Sequence, residues 1–151
     1  MKKSKLLETI DHLLFSIEKL IPNYMDNKED NSISGGNVAV CIIDENGQIY
    51  GRMYGKDKIR QRYFYQIAWA KASQVWITNI PTGEFEKLVF NGDIDDKKFG
   101  IKRQDFVGWH GGQLLKLDGF NLTIGFSGFR AENDLEIVTN AVNEVTKKLI
   151  N

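Results

Sequence analysis

Between His110 and Asp134 the chain gathers residues suited to ligand contact: His110-Gly111-Gly112, then an Asp118-Gly119 turn, then Gly125, Ser127 and Gly128. A histidine can move protons or ligate a metal or haem iron near neutral pH. A glycine within a strand marks a place where another backbone or a flat ligand comes close. If Asp118 and Gly119 are the two turn residues of a hairpin, counting outward pairs Gly112 with Gly125 and His110 with Ser127, on the face opposite Phe126. That register leaves a patch without side chains, open to a flat ligand or to another helix. Gly111 and Gly128 border it.

Lys71 is the second residue of interest, because it falls within an apolar helical stripe. An ammonium there must reach out to solvent, pair with a carboxylate or face a polar pocket. Asp44 and Asp134 are the candidate partners, and a structural ion pair is the first reading, ahead of an anionic-ligand contact and a catalytic amine. Cys41 could ligate a metal as a thiolate, but its strand position favours a small buried filler. His12 and Phe15 point away from the apolar stripe of their helix, which makes them candidates for an oligomer interface. Lys56, Lys58, Arg60 and Arg62 form a basic run that reads as solvated surface. No Gly-rich phosphate loop, Ser-His-Asp order or zinc signature is present, so no metal site and no reaction type can be named.

These residues need elements to hold them. Leu6, Ile10, Leu13, Ile17 and Leu20 predict an amphipathic helix over residues 4–21, ended by Pro22, and residues 26–36 read as a flexible linker. Val38 to Asp44, Asn46-Gly47 and Gln48 to Tyr54 read as a hairpin. A two-residue turn there would put Val40, Ile42, Ile49 and Met53 on the core face, with Cys41, Tyr50 and Arg52 opposite. Phe64, Ile67, Ala68, Ala72 and Val75 predict a helix from Ile59 to Ile77. Between Thr82 and Gly108 only Lys87 to Phe90 suggests a strand, followed by a charged loop, Asp93 to Arg103. The second hairpin joins Gln113–Leu117 to Phe120–Ser127, and Ile137, Val138, Ala141, Val142, Val145 and Leu149 form a closing helix with Glu132 and Asp134 at its positive end. This order predicts a single α+β domain spanning residues 1–151, an antiparallel sheet covered by helices.

Lys plus Arg and Asp plus Glu both number 20, so no global field draws the chain to nucleic acid or to a membrane surface. Glu8, Asp11 and His12 interrupt the apolar run that a signal peptide would need after Lys2, Lys3 and Lys5, and the lone Cys41 fits a reducing compartment. A cytoplasmic protein without membrane or nucleic-acid partners is expected.

Three patterns taken together, Ile43-Asp44-Glu45-Asn46-Gly47, Ala68 to Ala72, and Gly111-Gly112 through Ser127-Gly128 to Asp134, resemble the GlcG/HbpS/PduO C-terminal-domain family over residues 5–148. The resemblance implies a profilin-like α+β fold, homo-oligomers and, as in some members, binding or degradation of haem. The middle of the chain, Tyr63 to Trp69 and Gly83 to Trp109, is more aromatic and charged than the family pattern. The functional expectation is a small-ligand-binding protein for haem or another flat anionic ligand, contacted by Lys71, His110, Gly111, Gly112, Gly125, Ser127 and Gly128. An oligomeric structural or adaptor protein without a cofactor is the alternative, and an enzyme of unnamed reaction is the third.

Overall fold

The structure, a computed structural model, describes residues 1–150. Its elements are α1 (Lys2–Met25), α2 (Lys28–Ser34), β1 (Val38–Asp44), β2 (Ile49–Tyr54), α3 (Lys58–Thr78), α4 (Glu84–Phe90), β3 (Gly112–Leu117), β4 (Phe120–Ser127) and α5 (Ala131–Ile150). Two short 3-10 turns, Asp96–Phe99 and Arg103–Asp105, lie between α4 and β3. The strands form one antiparallel sheet in the order β2-β1-β4-β3. This is the helix-covered α+β architecture that the element order requires.

Strand alternation divides the core into two layers. Val38, Val40, Ile42, Leu115, Leu117, Leu122, Ile124 and Phe126 face α1 and α5, whose Ile10, Leu13, Ile17, Ile137, Val138 and Ala141 complete the larger cluster. Ala39, Cys41 and Ile43 face the other way, onto Phe64, Ala68 and Ala72 of α3. All seven residues of β1 are therefore buried, which explains its unbroken apolar run.

Five expectations change. Pro22 does not end α1, which runs on to Met25. Pro22 and Glu18 are both exposed, so water can serve the carbonyl that the proline leaves unpaired, while Tyr24 stacks on Phe129 at 5.4 Å and keeps the last turn docked. Residues 26–36 are not a flexible linker but hold α2. The Asn27 side chain accepts from the Glu29 and Asp30 amides at 3.0 and 3.2 Å, and Asp30 is buried against Arg130 and Asn133.

The first hairpin shifts by one residue, with Ile43 opposite Ile49 and Ile42 opposite Tyr50. The Asp44 carboxylate accepts from Asn46 N, Gln48 N and Tyr50 Oη, and Gly47 takes φ +84°, which selects a longer loop than Asn46-Gly47 alone. Tyr50, Arg52 and Tyr54 consequently join the Val40 and Ile42 face, and Ile49 and Met53 fall on the Cys41 face, exposed. Lys87 to Phe90 is the end of helix α4 rather than a strand, because Phe85 and Val89, four apart, bury together. Finally, β3 begins at Gly112, and Gly111 at φ +120° turns the chain out of register. Ser127 pairs with Ala39 instead of His110.

Candidate functional site

The second hairpin keeps its expected register inside the strands: Gly112 stands opposite Gly125, and Asp118-Gly119 forms the turn with both φ values positive. The face cleared by the two glycines is occupied by α3. A Cβ on Gly125 would collide with the Ala68 carbonyl and stand 2.8 Å from the Ala72 amide nitrogen; one on Gly112 would stand 2.8 Å from Thr82 Cγ2 and 2.9 Å from the Lys71 carbonyl oxygen. Of the two occupants left open by the sequence, the helix fills this patch. Gly128 is likewise packed against Val38, and Ser127 is buried on the same face of β4.

This close approach lowers Lys71 into the sheet. Its side chain is 2% exposed; Nζ donates to the Phe126 carbonyl at 2.8 Å and to Asp134 Oδ2 at 3.0 Å, while Asp134 Oδ1 accepts from the Phe129 amide at 2.8 Å. Gly111 closes the top, since a Cβ there would lie 2.7 Å from Lys71 Nζ. Burial pushes the Lys71 amine down and the Asp134 carboxyl up to about 7, against the attraction between them. Asp134, and not Asp44, is the partner, and the ammonium is answered inside the protein.

His110 lies in an arch clamped at both ends. At one end, the Gln74 side chain of α3 pairs with Val107, donating to its carbonyl at 3.0 Å and accepting from its amide at 2.6 Å. At the other, Thr82 N donates to the Gly112 carbonyl at 3.0 Å, and Thr82 Oγ1 accepts from Gly112 N at 2.9 Å. Between the clamps stand Gly108, Trp109 and His110. His110 Nδ1 rests against Gly83 and the Glu86 carboxylate against Gly108, places where a Cβ would collide. The imidazole is half-buried, makes no hydrogen bond among the described residues, and follows Trp109, which is 65% exposed. A neutral imidazole with a free ring nitrogen can ligate iron or exchange a proton, and the adjacent indole offers a flat apolar surface. Gln74, Thr82 and Glu86 escaped the sequence reading. A polar Gln within an apolar helical stripe was the one available signal.

The remaining candidates are separate. Cys41 is fully buried beneath α3, its thiol pushed up to about 11 by burial, so at neutral pH it is a filler and not a thiolate ligand. His12 and Phe15 are exposed on α1, with Lys19 Nζ 5.7 Å from the Phe15 ring centroid. A groove of about 710 Å³ opens past the C-terminal end of α3, lined by Glu45, Trp76, Asn79, Leu114, Lys116 and Asn121. Trp76 Nε1 donates to the Asp44 carbonyl at 3.0 Å, fixing the indole at its mouth. Among the described residues no cluster of three His, Cys, Asp or Glu could hold a metal ion, and no helix is long and apolar enough to cross a membrane.

No family model and no curated protein matches this chain by sequence. Solved structures do match it. PduOC in complex with haem superposes with a TM-score of 0.63 at 19% identity, covering 90% of this chain and 91% of its own. Klebsiella pneumoniae protein ORFY gives 0.63 at 16% identity over 92% and 88%. A double mutant of Streptomyces reticuli HbpS gives 0.60 at 17% identity over 89% and 84%. At such identities a likeness establishes architecture, and the chain accordingly has the α+β fold of the GlcG/HbpS/PduO C-terminal-domain family.

Proposed function

We propose that the protein binds a small planar ligand, with haem as the candidate, at the clamped arch carrying Trp109 and His110. The observation that carries this reading is the His110 imidazole itself, half-buried on a braced loop, without a hydrogen-bond partner, and beside an exposed indole. An accessible imidazole without a hydrogen-bond partner could serve as a nitrogen donor to haem iron, and the exposed indole would offer an apolar surface to a flat ring. The fold's occurrence in a haem complex of PduOC supports the same choice. Lys71 is already held by Asp134 and the Phe126 carbonyl beneath Gly111, so in this reading it supports the site from below and does not meet ligand charge. Titration of the purified protein with haemin is expected to give a saturable change in the Soret band, and His110→Ala should weaken it by 10-fold or more. A wild-type spectrum that does not saturate removes haem.

A second reading, an oligomeric structural or adaptor protein with no bound cofactor, is favoured by one observation. Besides the residues that α3 buries on the sheet, Ile59, Tyr63, Trp69, Trp76 and Ile77 of the same helix are exposed.

A further inference from the structure

The groove past the C-terminal end of α3 is separate from the His110 arch. Gln74 and Trp76 project about 200° apart around α3, so the arch that Gln74 clamps and the groove that Trp76 lines lie on opposite flanks of the helix. Its volume of about 710 Å³ falls within the range of small-molecule sites. Strand alternation arranges its floor in two rows. Ile43 of β1, Thr123 of β4 and Leu114 of β3 are register partners and form the inner row. In the outer row Lys116 stands opposite Asn121, and Glu45, just past β1, reaches Asn121 from the other side, its Oε1 accepting from Asn121 Nδ2. The inner row offers apolar surface, with Leu114 45% exposed and the Trp76 indole, 44% exposed, held by its bond to the Asp44 carbonyl. The outer row is charged.

Charge specifies the ligand. Among the described residues Lys116 forms no ion pair, and Glu45 meets no cation. The Asp44 carboxylate is already taken up by Asn46 N, Gln48 N and Tyr50 Oη. One ammonium and one carboxylate therefore flank Asn121 without pairing with each other. Directly opposed strand residues have Cβ atoms about 5 Å apart, so both charges reach the space beside Asn121. The Asn79 cap of α3 also lines the groove, and the helix has no basic residue in its last turn, which favours a positive group at this end. A simple anion would suit Lys116 and be repelled by Glu45 and the helix end; a simple cation would suit those two and be repelled by Lys116. A molecule with both charges on one carbon and an apolar body satisfies all of them. Its carboxylate meets Lys116, its ammonium meets Glu45, and its side chain lies on Leu114 and the Trp76 indole.

We infer that this groove binds a zwitterionic α-amino acid with a large apolar or aromatic side chain. The inference is independent of whether haem binds at the arch and of the oligomeric reading. L-Phenylalanine is the probe. Calorimetric titration of the full chain is expected to show saturable binding in the micromolar to millimolar range. Phenylpropionate, which lacks the ammonium, and phenylethylamine, which lacks the carboxylate, should each bind about 10-fold more weakly or worse. Lys116→Met should weaken L-phenylalanine by a similar factor and leave phenylethylamine unchanged. Glu45→Gln, which keeps an acceptor for Asn121, should weaken L-phenylalanine and leave phenylpropionate unchanged. Loss of folding cannot give that ligand-matched pattern. In proton–nitrogen NMR spectra the Trp76 indole N–H signal should move on binding and that of Trp109 should not. The inference is overturned by absence of saturable L-phenylalanine binding, by equal binding of the three probes, by equal losses for every probe in either variant, or by a response at Trp109 in place of Trp76.

Discussion

At the scale of single residues, Lys71 and Asp134 carry the sharpest consequence. A buried pair of this kind is costly to form and costlier to halve, since removing one partner strands the other without water or counter-charge. Lys71→Met is expected to destabilise the chain by about 3–5 kcal/mol in urea unfolding, and Lys71→Met with Asp134→Leu by less than the single change. The pair also sets a pH dependence. Burial raises Asp134 to about 7 in the folded chain, above the 3.8 of a free carboxyl, so the folded state holds its proton more tightly. This contribution is complete below about pH 4 and is lost as the pH rises through about 7. Comparing wild type with Asp134→Asn across that window isolates it, because Asp30, which shifts the other way, titrates in both. Burial alone would raise Asp30, but hydrogen bonds from Arg130 and Asn133 outweigh it. A wild-type advantage that grew from pH 4 to 7 would contradict the assignment. The sequence showed that Lys71 needed a partner, but Asp44 and Asp134 were indistinguishable until β4 and α5 were placed in space.

At the scale of elements, the seam between α3 and the sheet determines what the glycines do. Gly125 lies outside the left-handed region, so its requirement is steric: α3 passes where a side chain would be. Gly125→Ala should therefore cost about 1–3 kcal/mol or more through overpacking, seen as a melting temperature lowered by roughly 2–4 °C for each kcal/mol. Gly119→Ala is the useful contrast, because a Cβ there meets nothing and only the φ of +82° is strained. Apolar periodicity made α1, α3, α5 and the second hairpin legible. The same criterion missed α2, which is held by the Asn27 cap and the Asp30–Arg130 contact instead of an apolar stripe. It also misassigned Lys87 to Phe90, where four residues are too few to separate strand from helix.

At the scale of the whole molecule, coverage of the sheet is uneven. β1 and β4 are central and lie between helices on both faces, whereas β2 is an edge strand with most of its residues exposed. Local opening follows burial, so hydrogen exchange should be slowest in β1 and β4 and fastest in β2 and residues 91–106.

What the sequence determined by itself was whatever depends on local pattern: helices from their 3.6-residue stripes, the β3–β4 register from Asp118-Gly119, and the need for close approach at Gly112 and Gly125. Tertiary structure decided which group comes close, because a glycine reports a space and not its occupant. The space beside Gly112 and Gly125 went to α3, Lys71 went to Asp134, and His110, released from the strand register by Gly111, went to an arch that Gln74 and Thr82 hold from opposite ends. Those clamps join residues about 30 positions apart, a separation that no local pattern records.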